Sequence, residues 1–328
     1  MLIFAKDPNS LQYKLFVWRY LLLPVMLMVA QPMLQMEARA GQKLLVAVSV
    51  LPLKYQVDRI GGERVQVFSL VRPGVDPHSY EPGAKQITTL ARAALMLKAG
   101  MPFESAWRQR FRAANSRMRE LDLGKLMKPE KAALNSGRVE SAHKDESDHD
   151  DHDDSHGVGH VHSHGDDPHW WTSPILALRA AKAIRDQLIE LLPEHEDEFR
   201  QNHAVLEQDL RALDDSIQDL LKPLRHRRFM VFHPAWGHFA QRYGLEQIAI
   251  EDEGKTLGAQ RMALLIDQAR SAGIRVLFVQ PQSDQRAAKQ VASAIGAELA
   301  VLNPLAPDYI ANMRQVAQML RRAGLRSP

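Results

Sequence analysis

The stretch EHEDEFRQNHAVLEQDLRALDDSIQDLLK, residues 194–222, decides the architecture. Within and beside it Phe199, His203, Leu206, Leu210, Leu213, Ile217 and Leu220 step by three and four, the spacing of one helical face, and Pro193 and Pro223 bracket the run. At 1.5 Å per residue such a helix is roughly 43 Å long. A second stripe precedes it, through Ile175, Leu178, Ala181, Ile184, Leu188 and Leu191. Working outward, short aliphatic runs recur at 44–50, 65–70 and 94–97 on one side and at 229–232, 247–250, 276–280 and 298–302 on the other, with helix-length segments such as 261–272 and 285–295 between them. Strand and helix alternate, which predicts an α/β fold of parallel sheets covered by helices. A long helix with strands before and after it suits a bridge between two lobes, 41–192 and 224–328, with 193–223 as the linker. A surface helix packed on one lobe is the alternative.

The first 40 residues read differently. Lys14 and Arg19 precede an apolar run at 20–30, and small residues follow at Ala38 and Ala40. That order predicts a signal peptide, 1–40, cleaved near Ala40, and hence a protein outside the cytoplasm. An uncleaved anchor is the alternative, but the run is short of the ~20 residues a span needs. Without this segment 38 basic and 37 acidic side chains remain, a balance that argues against nucleic acid as a partner. There is no cysteine, so disulfide scaffolds, thiolate metal sites and cysteine nucleophiles are excluded together. Any metal must sit on nitrogen and oxygen.

Common catalytic signatures are missing. There is no GxSxG, no GxxxxGK and no GxGxxG after a strand, and His195-Glu196 lacks a second histidine because position 199 is Phe. What stands out is histidine, 14 in the chain and eight of them between His143 and His169. Segment 143–167 is nearly free of apolar residues and is expected to be a disordered surface loop. Its His149, His152, His156, His160, His162 and His164, interleaved with nine acidic residues from Asp145 to Asp167, could capture divalent cations weakly; a merely solvated insertion is the other reading. Three more histidines are better placed. His78 lies in the proline- and glycine-containing loop RPGVDPHSYEP at 72–82, His233 directly follows a predicted strand, and His169 sits in DPHWWTSP before a helix start, where Trp170 and Trp171 can shield it. Ligands of parallel α/β sheets bind beyond the carboxyl ends of strands, where His78 and His233 fall. Taken singly, each could equally be a hydrogen-bonded structural histidine.

Four motifs in order, PGVDPHSYEP at 73–82, DPHWWTSP at 167–174, FHPAWGHFAQRYGLEQIAIEDEG at 232–254 and FVQPQ at 278–282, give the chain a specific likeness over about 43–320. It resembles the periplasmic zinc-type substrate-binding proteins of metal ABC transporters, a family that also includes manganese and iron receptors. The resemblance implies two βα lobes joined by a rigid helix, a metal cleft between them, and His78, His169 and His233 as ligands. It also implies an inner-membrane ABC permease as partner, a non-catalytic role and a concentrating role for the histidine-rich loop; a monomer is expected. Two positions depart from the pattern. His238 stands where members usually carry Tyr or Phe, and Asn303 stands where an aspartate typically precedes Pro-Leu. The fourth coordination place is therefore left among Asn303, water, Glu251 and Glu253. Three neutral imidazoles without an assured carboxylate favour Zn²⁺ over Mn²⁺, while Cu²⁺ and Ni²⁺ also bind such sets. An exported zinc hydrolase, with Glu251 or Glu253 as base, and a metal-binding adhesin or buffer protein are the competing functions.

Overall fold

The computed structural model describes residues 43–128, 167–252, 255–256 and 258–326. The expected signal segment 1–40, the six loop histidines from His149 to His164, and Glu253 lie outside them. In the first half the chain runs β1 (Leu44–Val48), α1 (Leu51–Gly61), β2 (Val65–Ser69), α2 (Ala84–Leu90), β3 (Leu95–Lys98), α3 (Pro102–Ala106), α4 (Arg108–Ala114), β4 (Arg119–Asp122) and α5 (Leu123–Met127). Two long helices follow, α6 (Pro174–Leu191) and α7 (Glu196–Leu221). The second half runs β5 (Arg228–Val231), α8 (Gly237–Tyr243), β6 (Glu246–Ala249), β7 (Glu251–Asp252), β8 (Lys255–Thr256), α9 (Ala259–Ser271), β9 (Val276–Val279), α10 (Gln285–Ile295), β10 (Glu298–Val301) and α11 (Tyr309–Arg326).

Two four-stranded sheets form, in the orders β2-β1-β3-β4 and β10-β9-β5-β6. The pairs β1–β3, β3–β4, β5–β6, β5–β9 and β9–β10 are parallel. Both halves share one plan: the second strand lies outside the first, and the third and fourth lie on its other side. Parallel neighbours need crossovers, and the intervening helices supply them. Because helices cover these sheets, the central strands are apolar; Val46, Ala47, Val48, Leu95, Met96 and Leu97 are fully buried. In the second half Met230, Phe232, Ile250, Ala269, Leu277, Val279, Ala288 and Ile295 make the core. The seven aliphatic runs all become strands. Strand β4 has no counterpart among them: its sequence RELD is polar, and an edge strand with Glu120 and Asp122 both bridged to Lys98 can be.

The bridging helix is α7. Glu196, Asp197 and Glu198 occupy its first turn, where negative charge favours the helix dipole. It packs on α1 and α6 of the first half and on α8 and α11 of the second. Its tethers divide the same way. Arg64 donates to Glu198, Asn202 to the Ile60 carbonyl and Arg59 to Asp209, whereas Asp214 accepts from Arg242 and Tyr243 of α8. The buried face differs from the sequence stripe at one end. Leu221, not Leu220, is buried, and Asp214 joins the stripe because Arg242 and Tyr243 satisfy its carboxylate there. In α6 the face runs through Ala177, Ala180, Ala181, Ile184 and Leu188, while Ile175, Leu178 and Leu191 are only half-buried. Small residues let a neighbouring helix come close, and α7 is that neighbour. The C-terminal α11 begins against the first half, with the Tyr309 ring beside Tyr55.

Candidate metal centre

The loop after β2 holds His78 through local polar contacts. The His78 and Ser79 donors both reach Asp76, His78 N–H to Oδ1 at 3.0 Å and Ser79 Oγ–H to Oδ2 at 2.9 Å. Tyr80 and Gly83 donate to Gln86 Oε1, and Gln86 Nε2 donates to the Leu70 carbonyl, so the loop is fastened to the helix that follows and the strand that precedes it. His169 sits at the entry to a 3₁₀ turn, Trp170–Thr172, ahead of α6. Thr172 donates to the His169 carbonyl from both N and Oγ1. The two tryptophans diverge: Trp170 Nε1 donates to Ala99 O in the first half, and Trp171 Nε1 donates to Pro304 O in the second. Both are buried, and the Trp171 ring centroid lies 5.4 Å from that of His169. His233 follows β5, whose extension is kept in register by Phe232 N–H on Phe278 O.

These three segments bring their imidazoles together. His78 Nε2 lies 3.1 Å from His169 Nε2 and 3.2 Å from His233 Nε2, and one ring nitrogen from each of the three falls within 4.8 Å of the others. No other such group of His, Asp and Glu occurs among the described residues. Two of the rings are turned by carboxylates. His169 Nδ1–H donates to Asp167 Oδ1 at 2.8 Å, and His233 Nδ1–H donates to Glu251 Oε2 at 3.1 Å. A proton held on Nδ1 leaves Nε2 as a lone pair, so these bonds fix which nitrogen faces the centre. Burial, with lesser contributions from His169 and His233, lowers the His78 pKa to about 4. Burial also lowers that of His169, outweighing the pull of Asp167. Burial alone would push the Asp167 carboxyl up; the His169 hydrogen bond and the His169 and His238 rings bring it down to about 2. His78 and His169 are thus neutral imidazoles beside the ionised Asp167 carboxylate.

Asp167 was expected to belong to the disordered loop, yet it is well inside the site: its Oδ1 accepts both His169 N–H and Nδ1–H. A signal for it exists in the sequence. Asp-Pro-His occurs at 76–78 and again at 167–169, and in both the aspartate caps the N–H of the histidine two residues on. Glu251, one of the residues left open as fourth ligand or base, engages the outer nitrogen of His233. Asn303 Oδ1 accepts the Leu305 N–H at 3.0 Å within its own turn, and its carbonyl accepts from Asn312 of α11. His238, 8% exposed, points Nε2 at the Asp167 carbonyl, 3.0 Å away.

Two parallel α/β lobes on one bridging helix, with three imidazoles from separate segments meeting between them, define a metal-type solute-binding protein. The chain belongs to the family of the periplasmic zinc-uptake complex component A, ZnuA, whose model matches residues 46–323. It is similar to a crystal structure of ZnuA, at 32% identity and a TM-score of 0.74 over 86% of this chain and 100% of that one. A ZnuA deletion mutant solved with zinc bound matches at 33% identity and a TM-score of 0.73, over 86% and 98% of the two chains. Zinc-binding lipoprotein AdcA of Streptococcus pneumoniae serotype 4 is 27% identical over 271 residues, 82% of this chain and 51% of AdcA. The chain therefore spans about half the length of the curated relatives it matches. Among the described residues no helix is long and apolar enough to cross a membrane.

Proposed function

We propose that this protein captures zinc outside the cytoplasm and delivers it to an ABC-type permease of the inner membrane, as a monomer and without catalysis. The observation that carries the reading is the convergence of three imidazoles, with His78 Nε2 3.1 Å from His169 Nε2 and 3.2 Å from His233 Nε2 and one ring nitrogen of each within 4.8 Å of the others. The Nε2 lone pairs of His169 and His233 both face His78 Nε2, which can share a proton with only one of them at a time, whereas a cation can be held by all three. In a tetrahedral zinc site with bonds of 2.0–2.1 Å, ligand nitrogens stand ~3.3 Å apart, so the three rings need little movement to accept the ion. Three imidazoles favour zinc over manganese, which prefers oxygen; copper and nickel share the preference for imidazole, and supply then contributes to the selection. His78, His169 and His233 are the protein ligands in this reading. Solvent takes the fourth place, since Asn303 Oδ1 is turned to the Leu305 N–H. Glu251 is engaged by His233, which leaves it poorly placed as a hydrolytic base. Residues 1–40 direct export, 41–192 and 224–328 form the lobes, and 193–223 link them. The family and the zinc-bound ZnuA relative support this assignment.

The test is calorimetric titration of zinc into untagged mature protein and into His78→Ala, His169→Ala and His233→Ala. One tight site is expected in the first and none in the variants. A variant that keeps tight one-to-one binding would remove that histidine from the site.

A further inference from the structure

We propose that His238 is a positioning residue that clasps the two lobes beside the metal site and sets how slowly the ion leaves. This rests on the zinc-site assignment above. His238 lies in the first turn of α8, five residues beyond His233 and therefore in the second half of the chain. Its Nε2 is 3.0 Å from the main-chain oxygen of Asp167, which belongs to the first half. The same Asp167 holds His169 by two bonds to one carboxylate oxygen. One residue thus receives the second lobe on its backbone and orients a metal ligand with its side chain.

The clasp has a firm base. The far end of α8 is fixed to the bridging helix, where Arg242 and Tyr243 donate to buried Asp214. Any release that parts His233 from His169 must also stretch the His238–Asp167 bond, because that bond crosses the same gap. A cavity of about 230 Å³, lined among others by Lys98, Glu104, Trp170, Asp167 and His238, lies behind the pair. Water from it can solvate the Asp167 carbonyl if the imidazole is removed. What is lost is the tether between lobes, and not the hydration of a buried group, so release should accelerate with little cost to folding.

The experiment measures zinc release into excess chelator by stopped flow, together with the visible spectrum of the Co²⁺-loaded protein. His238→Phe fills the ring's volume without a donor and should release zinc ~10-fold faster and shift the Co²⁺ bands, an effect of the size seen for groups that orient ligands. His238→Gln retains an N–H donor and should keep both properties close to those of the unsubstituted protein. A Phe variant that releases zinc at the unsubstituted rate, or a Gln variant as fast as Phe, overturns the proposal. So would ¹⁵N NMR of the unsubstituted protein placing the His238 proton on Nδ1, since Nε2 would then have nothing to donate, and this holds even if the Phe variant fails to fold. Loss of one-to-one zinc binding by the unsubstituted protein would instead sink the site assignment itself.

Discussion

Asp76 and Asp167 sit two residues before His78 and His169, and each caps the backbone of its histidine; only Asp167 also reaches the ring. That difference makes Asp167 the more informative position. Asp167→Asn keeps an oxygen for the Nδ1–H but removes the charge that makes His169 a stronger base, and zinc affinity should fall by ~10-fold, read by competition with a chromophoric chelator. The histidines also set a pH dependence. Burial depresses the pKa of His78 to about 4 and lowers those of His169 and His203 from an unfolded value of 6.5. Between 4 and 6.5 the unfolded chain binds more protons than the folded one, so stability rises with pH in that window. Metal-free protein should hold its full histidine contribution above pH 6.5 and lose it progressively toward pH 4. Urea midpoints measured at pH 7.5, 6, 5 and 4.5 check this; a flat series would show that these rings titrate normally when folded.

Two ion pairs of α7 look alike on paper and should behave differently. Asp214 is 3% exposed and accepts from Arg242 and from Tyr243, whose hydroxyl is pushed up by burial and by the Asp214 charge. Removing it leaves the partly exposed Arg242 guanidinium to solvent but strips the buried Tyr243 hydroxyl of its acceptor, and Asp214→Ala should cost ~1–3 kcal/mol by chemical denaturation. The Arg59–Asp209 pair, with side chains 31% and 45% exposed, ties α7 to α1 through solvent-screened contact. Asp209→Ala should cost under ~1 kcal/mol. Equal losses at the two positions would mean that the bridge is held by charge rather than by burial.

Across the whole molecule, the two halves are joined by more than the helix. Trp171 of the first half donates to Pro304 O, and Tyr309 Oη donates back to Trp171 O, both bonds being buried. Among the described residues, Asp167 and Glu251 hold the rings of His169 and His233 and Asp76 caps the His78 backbone, all of them outside 143–165. Deleting 143–165 should therefore leave one tight zinc site and the same far-ultraviolet spectrum. At 100 times Kd, zinc should stabilise both the full and the deleted protein by ~2.7 kcal/mol, seen as a rise in Tm. A deleted protein without a tight site would place the primary ligands in the loop.

The sequence by itself determined the elements and their class, because burial on both faces forces parallel strands to be continuously aliphatic and helical faces to repeat at three and four. Segments 44–50, 229–232 and 276–280 are legible for that reason, and so is the length of the helix at 194–222. Edge strand Arg119–Asp122 is not, since an edge tolerates polar residues and leaves no pattern. The three histidines could be singled out by their places at loop and helix starts, and the family resemblance implied them as one ligand set, but spacing alone could not join them: His78 and His233 are separated by 155 positions, and only the packing of two sheets on α7 puts their Nε2 atoms 3.2 Å apart. The roles of the supporting groups were decided largely by tertiary structure. The repeated Asp-Pro-His marks Asp167 within an acidic tract, while Glu251 reads as a possible ligand and His238 as a departure from the family's Tyr or Phe. Which ring nitrogen each contacts depends on side-chain direction across separate segments, and local spacing does not encode that.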